Sequence, residues 1–175
     1  MSAPEVIWRD DVSEVGLTGR NPLPIPSSEH MVRAHIDISK GLDGEAVVLA
    51  CFDLGDDELR ASAHAVAAAA AERYRAATMS SDDVLALREL TALTDELADL
   101  ALRPGMRTVV LRPARLTAYR DAVAHFVESR DHAEWLREED REPLAIARSL
   151  VDPLEDLCAD ALRAALTGSL DPHSC

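Results

Sequence analysis

Aromatic side chains are nearly missing from this chain: two tryptophans, two tyrosines and two phenylalanines in 175 residues. Bases and sugars are commonly held by stacking on aromatic rings, so this scarcity argues against a nucleotide or sugar ligand. Lysine is scarcer still, with Lys40 the single example, and the formal net charge is −14. A surface so acidic forfeits the phosphate attraction that drives nucleic-acid binding, and it repels anionic membranes. Neither nucleic acid nor membrane is expected as a partner.

The three cysteines, Cys51, Cys158 and Cys175, show no CxxC spacing, which indicates neither a disulfide framework nor a zinc site. Cys51 lies inside an apolar run and reads as a small buried residue. No segment approaches the ~18 consecutive apolar residues of a membrane span. The first residues lack a basic stretch followed by an apolar one. A soluble, cytoplasmic protein is the expectation. No GxSxG, GxGxxG, Walker A or HExxH pattern occurs, so no catalytic residue is assigned and no cofactor is expected.

What the chain has is alanine, leucine and valine, within an apolar content of 47%. Residues 1–29 read as an extended arm, held open by Pro4, Pro22, Pro24 and Pro26 and carrying Val6, Ile7 and Trp8 as its apolar patch. Residues 30–167 read as a single α+β domain, and 168–175 as a tail. In the domain, Met31–Ile38 alternates and suits a half-buried strand, with Val32, Ala34, Ile36 and Ile38 on one side. A turn at Gly41–Gly44 leads into a more apolar strand, Glu45–Leu54, completing a hairpin. Thr108–Leu111 supplies a third strand. The predicted architecture is a small antiparallel sheet packed against a mainly helical bundle.

Four helical stretches follow from capping and periodicity. Asp56-Asp57-Glu58 opens the first, whose stripe is Leu59, Ala63, Val66, Ala70, Tyr74 and Ala77. Its alanine run, Ala67–Ala71, permits close approach by a neighbour. Ser80-Ser81-Asp82-Asp83 caps the second, which carries Leu90, Leu93, Leu97 and Leu100 and stops before Pro104-Gly105. Pro113 starts the third, with Leu116, Tyr119, Val123, Phe126 and Val127 facing the core. Arg137–Glu142 is a mixed-charge run read as an exposed helical turn or connection, with Trp135 and Leu136 anchoring the segment before it. Pro143 and Pro153 then begin two further helical pieces, the last with Leu150, Leu154, Leu157, Ala161 and Ala165 as its stripe. Val47-Val48-Leu49 and Val109-Val110-Leu111 are matching strand-into-helix units.

Asp121, His125, Glu128 and His132 recur at i, i+4, i+7 and i+11. Imidazoles and carboxylates are suitable donors for zinc or iron, which makes His125, Glu128 and His132 candidate metal ligands. On a continuous helix this stripe lies opposite Val123, so it should face solvent unless a second subunit covers it. Asp53, Asp56, Asp57 and Glu58 form an acidic cluster that helix capping accounts for. His30 and His35 fall on opposite faces of a strand, and His64 reads as a partly buried packing residue.

Arg120-Asp121-Ala122-Val123-Ala124-His125 resembles the Arg-polar-x3-His element of HEPN ribonucleases, small all-helical domains that pair their active sites across a dimer. The resemblance covers six residues. It implies that Arg120 and His125 act on a scissile RNA phosphate. The predicted hairpin and the acidity depart from that family's pattern.

Three readings follow. The first is a non-catalytic interaction or assembly module, homodimeric or with another protein partner. The second is a small-molecule- or metal-dependent enzyme or sensor whose site is completed at a subunit interface. The third is the HEPN-like ribonuclease.

Overall fold

The structure, a computed structural model, describes residues 33–41, 43, 45–76 and 80–168. The arm at 1–29 with Trp8, together with Met31, Val32, His30, Ala77 and the tail from 169 on, lies outside them. The element order is β1 (Ala34–Lys40), β2 (Ala46–Leu54), α1 (Asp56–Ala76), α2 (Ser81–Ala101), β3 (Arg107–Leu111), α3 (Pro113–Asp131) and α4 (Glu138–Gly168). The expected α+β architecture is what the chain forms. Its sheet is antiparallel in the order β1-β2-β3; α1, α3 and α4 pack against it, and α2 packs on α1 and α3. Among the described residues no helix is long and apolar enough to cross a membrane.

Local chemistry sets the boundaries. Glu58 reaches back to accept a hydrogen bond from Gly55 N, and Asp56 accepts one from Gly105 N at 2.9 Å. Glu58 therefore caps the entry of α1, Asp56 ties the α2–β3 connection to it, and Asp57 pairs with Arg60. Gly105 adopts φ +95°, a conformation that favours glycine and ends the α2–β3 connection tightly. Ser80 Oγ accepts from Asp83 N at 3.1 Å to start α2, and Pro113 occupies the first turn of α3.

Strand alternation sends Ala50, Phe52 and Leu54 of β2 and Val109 and Leu111 of β3 to the helical side, all essentially buried. Ile36 of β1 packs against the same core. The core stripe of α1 runs through Leu59, Ser62, Ala65, Val66, Ala69 and Ala70. Tyr74, predicted to continue that stripe, is 65% exposed because the last turn of α1 extends past the layer it covers. Trp135 is likewise 70% exposed rather than an anchor, whereas Leu136 does pack on the core. Ile38, placed on the buried side of its strand, is 53% exposed at the sheet's margin.

The largest departure is α4. Pro143 and Pro153 do not start two helices; both lie inside one helix of 31 residues. Each lacks the N–H that would bond the carbonyl four residues back, a defect worth about 3 kcal/mol in a helix interior. The helix persists because Leu144, Ala147, Leu150, Leu154, Leu157 and Ala161 form one unbroken buried stripe against α1 and α3. Burying a leucine contributes about 2 kcal/mol, and a break at either proline would take several off the core together. Pro153→Ala restores a donor facing the Ser149 carbonyl. It is expected to raise the unfolding free energy by about 1–2 kcal/mol, read from urea titration. A loss of stability would show instead that the packing of Leu150 and Leu154 needs the proline's geometry.

Candidate functional site

Three helices bring a chain of five polar side chains together. His64 and Glu72 come from α1, His125 and Arg130 from α3, and Asp140 from the first turn of α4. His64 Nε2 lies 2.7 Å from Asp140 Oδ1, and Arg130 Nε donates to Asp140 Oδ2 at 2.8 Å. Arg130 Nη1 donates to Glu72 Oε1 at 2.8 Å, and Glu72 Oε2 meets His125 Nε2 at 2.8 Å. One guanidinium thus bridges two carboxylates, each of which holds a histidine at its other oxygen. Phe126 lies beneath, with Arg130 5.0 Å from its ring centre and His64 edge-on at 5.5 Å. A planar cation fits both the fork of acceptors and the aromatic face.

Asp140 is only 3% exposed. Burial opposes its charge, but hydrogen bonds from His64 and Arg130 overcome that and hold its carboxyl below the usual range. Glu72 follows the same balance: partial burial is outweighed by the bonds from Arg130 and His125, and its carboxyl is also lowered. Burial opposes the Arg130 charge too, and the two carboxylates more than compensate. Asp140, Glu72 and Arg130 therefore stand as a fixed set of ionised groups at neutral pH.

Its His125 end opens on a groove of about 750 Å³ between α1, α2 and α3. Alanines floor it, Ala69, Ala86, Ala118 and Ala122 among them, together with Leu90. Glu72, Arg73, Glu89, Asp121 and His125 stand round it. Thr117, a hydroxyl in the lining, donates to the Pro113 carbonyl of its own helix at 3.0 Å. Burial pushes the Cys51 thiol up, with Asp37 and Asp53 adding to it, and burial also pushes up Cys158. Protonated thiols are poor nucleophiles and poor metal ligands.

The structure does not assemble the polar stripe of α3 into a site. All four of its members are exposed, as expected of a face opposite Val123. His125 turns to Glu72, while His132 Nδ1 donates to the Glu128 carbonyl at 2.8 Å and caps its own helix. Asp121 pairs with Arg120 at 2.7 Å. Among the described residues no three His, Cys, Asp or Glu side chains converge as metal ligands. Arg120 and His125 share no partner, and the sheet replaces the all-helical domain that the HEPN resemblance implies. His35 is exposed on β1; His64 is partly buried against Phe126, as predicted for a packing residue.

Neither Asp140 nor Glu72 stands out in the sequence as a site residue. A signal for Asp140 existed: Leu136, Asp140, Leu144 and Ala147 continue one helical stripe, which places a carboxylate on a buried face.

No family model, no curated protein and no solved structure matches this chain. Its function must be argued from its own geometry.

Proposed function

We propose that this protein is a non-catalytic interaction or assembly module that works as a homodimer in the cytoplasm, with protein rather than nucleic acid or membrane as its partner. The observation that carries this reading is the sheet. Its inner face is buried under helices. On its outer face Val47, Leu49, Cys51 and Val110 lie together by register, and Val110 is 51% exposed. Both β1 and β3 are edge strands among the described residues. Unpaired edges beside apolar surface are what soluble proteins usually shield or use for association.

A second reading is favoured by one feature, His125 held by Glu72 beside the groove. An imidazole oriented by a carboxylate is the arrangement of a general base or a ligand-binding histidine, and about 750 Å³ accommodates a small molecule. Native mass spectrometry of the full chain from about 1 to 100 μM tests both, a range spanning the affinities of ordinary homodimers. A dimer without added mass is expected. A strict monomer throughout would defeat the homodimer, and a stoichiometric adduct lost in His125→Ala would move the conclusion to the second reading.

A further inference from the structure

The backbone of β1 shows which of its groups remain unused. Asp53 N donates to Arg33 O at 2.9 Å and Gly41 N donates to Glu45 O at 2.8 Å, both in register with Ala34↔Phe52. Odd-numbered residues of β1 therefore exchange backbone hydrogen bonds with β2. Alternation turns the N–H and C=O groups of Ala34, Ile36 and Ile38 to the opposite edge. Among the described residues no strand pairs there. No proline or lysine interrupts this edge before Lys40, and Ile38 is half exposed beside it.

We infer that β1 pairs with β1 of a second copy, antiparallel about a two-fold axis at Ile36, which joins two three-stranded sheets into one of six strands. The inference rests on the homodimer reading and names its surface. Polar complementarity across the axis selects the register. With the axis at Ile36, His35 of each copy stands opposite Asp37 of the other in a non-hydrogen-bonded pair, where cross-strand side chains approach most closely. On the inner face Ile36 meets Ile36 of the second copy, and Ile38 lies opposite Ala34, which covers the exposed isoleucine.

The neighbouring registers are poorer. An axis at Asp37 sets two carboxylates directly against each other, which is destabilising. An axis at Ile38 puts Ile36 against Lys40 and leaves His35 without a carboxylate. An axis at His35 keeps only Ala34, His35 and Ile36 of the strand in the pairing.

Charge exchange tests this on the full chain, by sedimentation equilibrium near neutral pH. His35→Asp places Asp opposite Asp twice per dimer, and Asp37→Arg removes the carboxylate that faces His35 and sets a guanidinium against the imidazole. Each is expected to raise the dimer dissociation constant about tenfold. The double variant sets Asp opposite Arg across the axis, again a complementary pair, and is expected to return to within about threefold of the wild type. Recovery is a result that damage to the fold cannot produce. A monomeric wild type would overturn the homodimer and this surface with it. A wild-type dimer indifferent to both single changes, or a double variant that stays weak, would overturn the β1 interface and leave the homodimer standing.

Discussion

Asp140→Asn lowers the unfolding free energy by about 2–3 kcal/mol, more than any exposed ion pair of this chain would cost. The carboxylate is buried and accepts from Arg130 and His64 at once. Asparagine keeps the shape but removes the charge, so Arg130 retains only Glu72 against its own cost of burial. Pairs such as Arg103–Asp99 and Arg163–Asp160 lie open to water and contribute far less. The pH dependence has a definite sign. Asp140 and Glu72 titrate lower in the folded chain than in the unfolded one, so the unfolded chain takes up protons first as pH falls. Their contribution is complete at neutral pH, begins to fade near the ordinary carboxylate value of about 4 and is lost as pH drops through the lowered folded values. Urea midpoints from pH 7 to pH 3 should therefore fall less steeply in Asp140→Asn than in the wild type. Equal slopes and equal midpoints would mean that the network does not stabilise the fold.

Phe52→Ala is expected to cost about 4 kcal/mol. Phe52 sits on the central strand, is 1% exposed and stacks on Tyr119 with ring centres 5.9 Å apart and planes 8° from parallel. Truncation leaves a void between the sheet and α3 and removes the surface that holds the Tyr119 ring. The Tyr119 hydroxyl, buried and paired with Ser62 of α1, then loses its fixed position as well. Burial pushes that phenol far up, so it acts as a neutral hydrogen-bonding group throughout the usable pH range. Phe52→Leu fills much of the void and should cost less than half as much by the same denaturant titration. Natural domains are stable by about 5–15 kcal/mol, so the alanine variant should unfold at markedly lower urea. If alanine and leucine cost the same, the aromatic pair rather than filled volume would be the source of the stability.

Alternation and capping made most of the architecture legible. Phe52, Leu54, Val109 and Leu111 announce buried strands by their spacing, and Ser80 and Pro113 mark helix starts that the structure reproduces. Misreadings arose where a local rule met tertiary packing. Pro143 and Pro153 look like helix starts because a proline is cheapest there, but the leucines flanking them are buried in one continuous row. Tyr74 and Trp135 are apolar by composition, and only the extent of the neighbouring layers decides whether anything covers them. The five-residue network was the least legible part. Glu72 and Arg130 are separated by 58 residues and Arg130 and Asp140 by ten across a helix junction, and no spacing within one helix announces such pairs. His125 was visible as a candidate, but its partner was not: it turned to α1 instead of along its own helix.

The position of α4 in the chain bears on how the protein is made. It is the last described element, yet it packs against α1, α3, β1 and β2. During synthesis Phe52, Leu59, Val66 and Tyr119 emerge well before Leu144, Leu150 and Leu154, the residues that close the core over them. Arg130 likewise emerges from the ribosome before Asp140 is free to meet it. Until α4 emerges the nascent chain therefore carries an open apolar seam, and the native core becomes available only once that helix has been made.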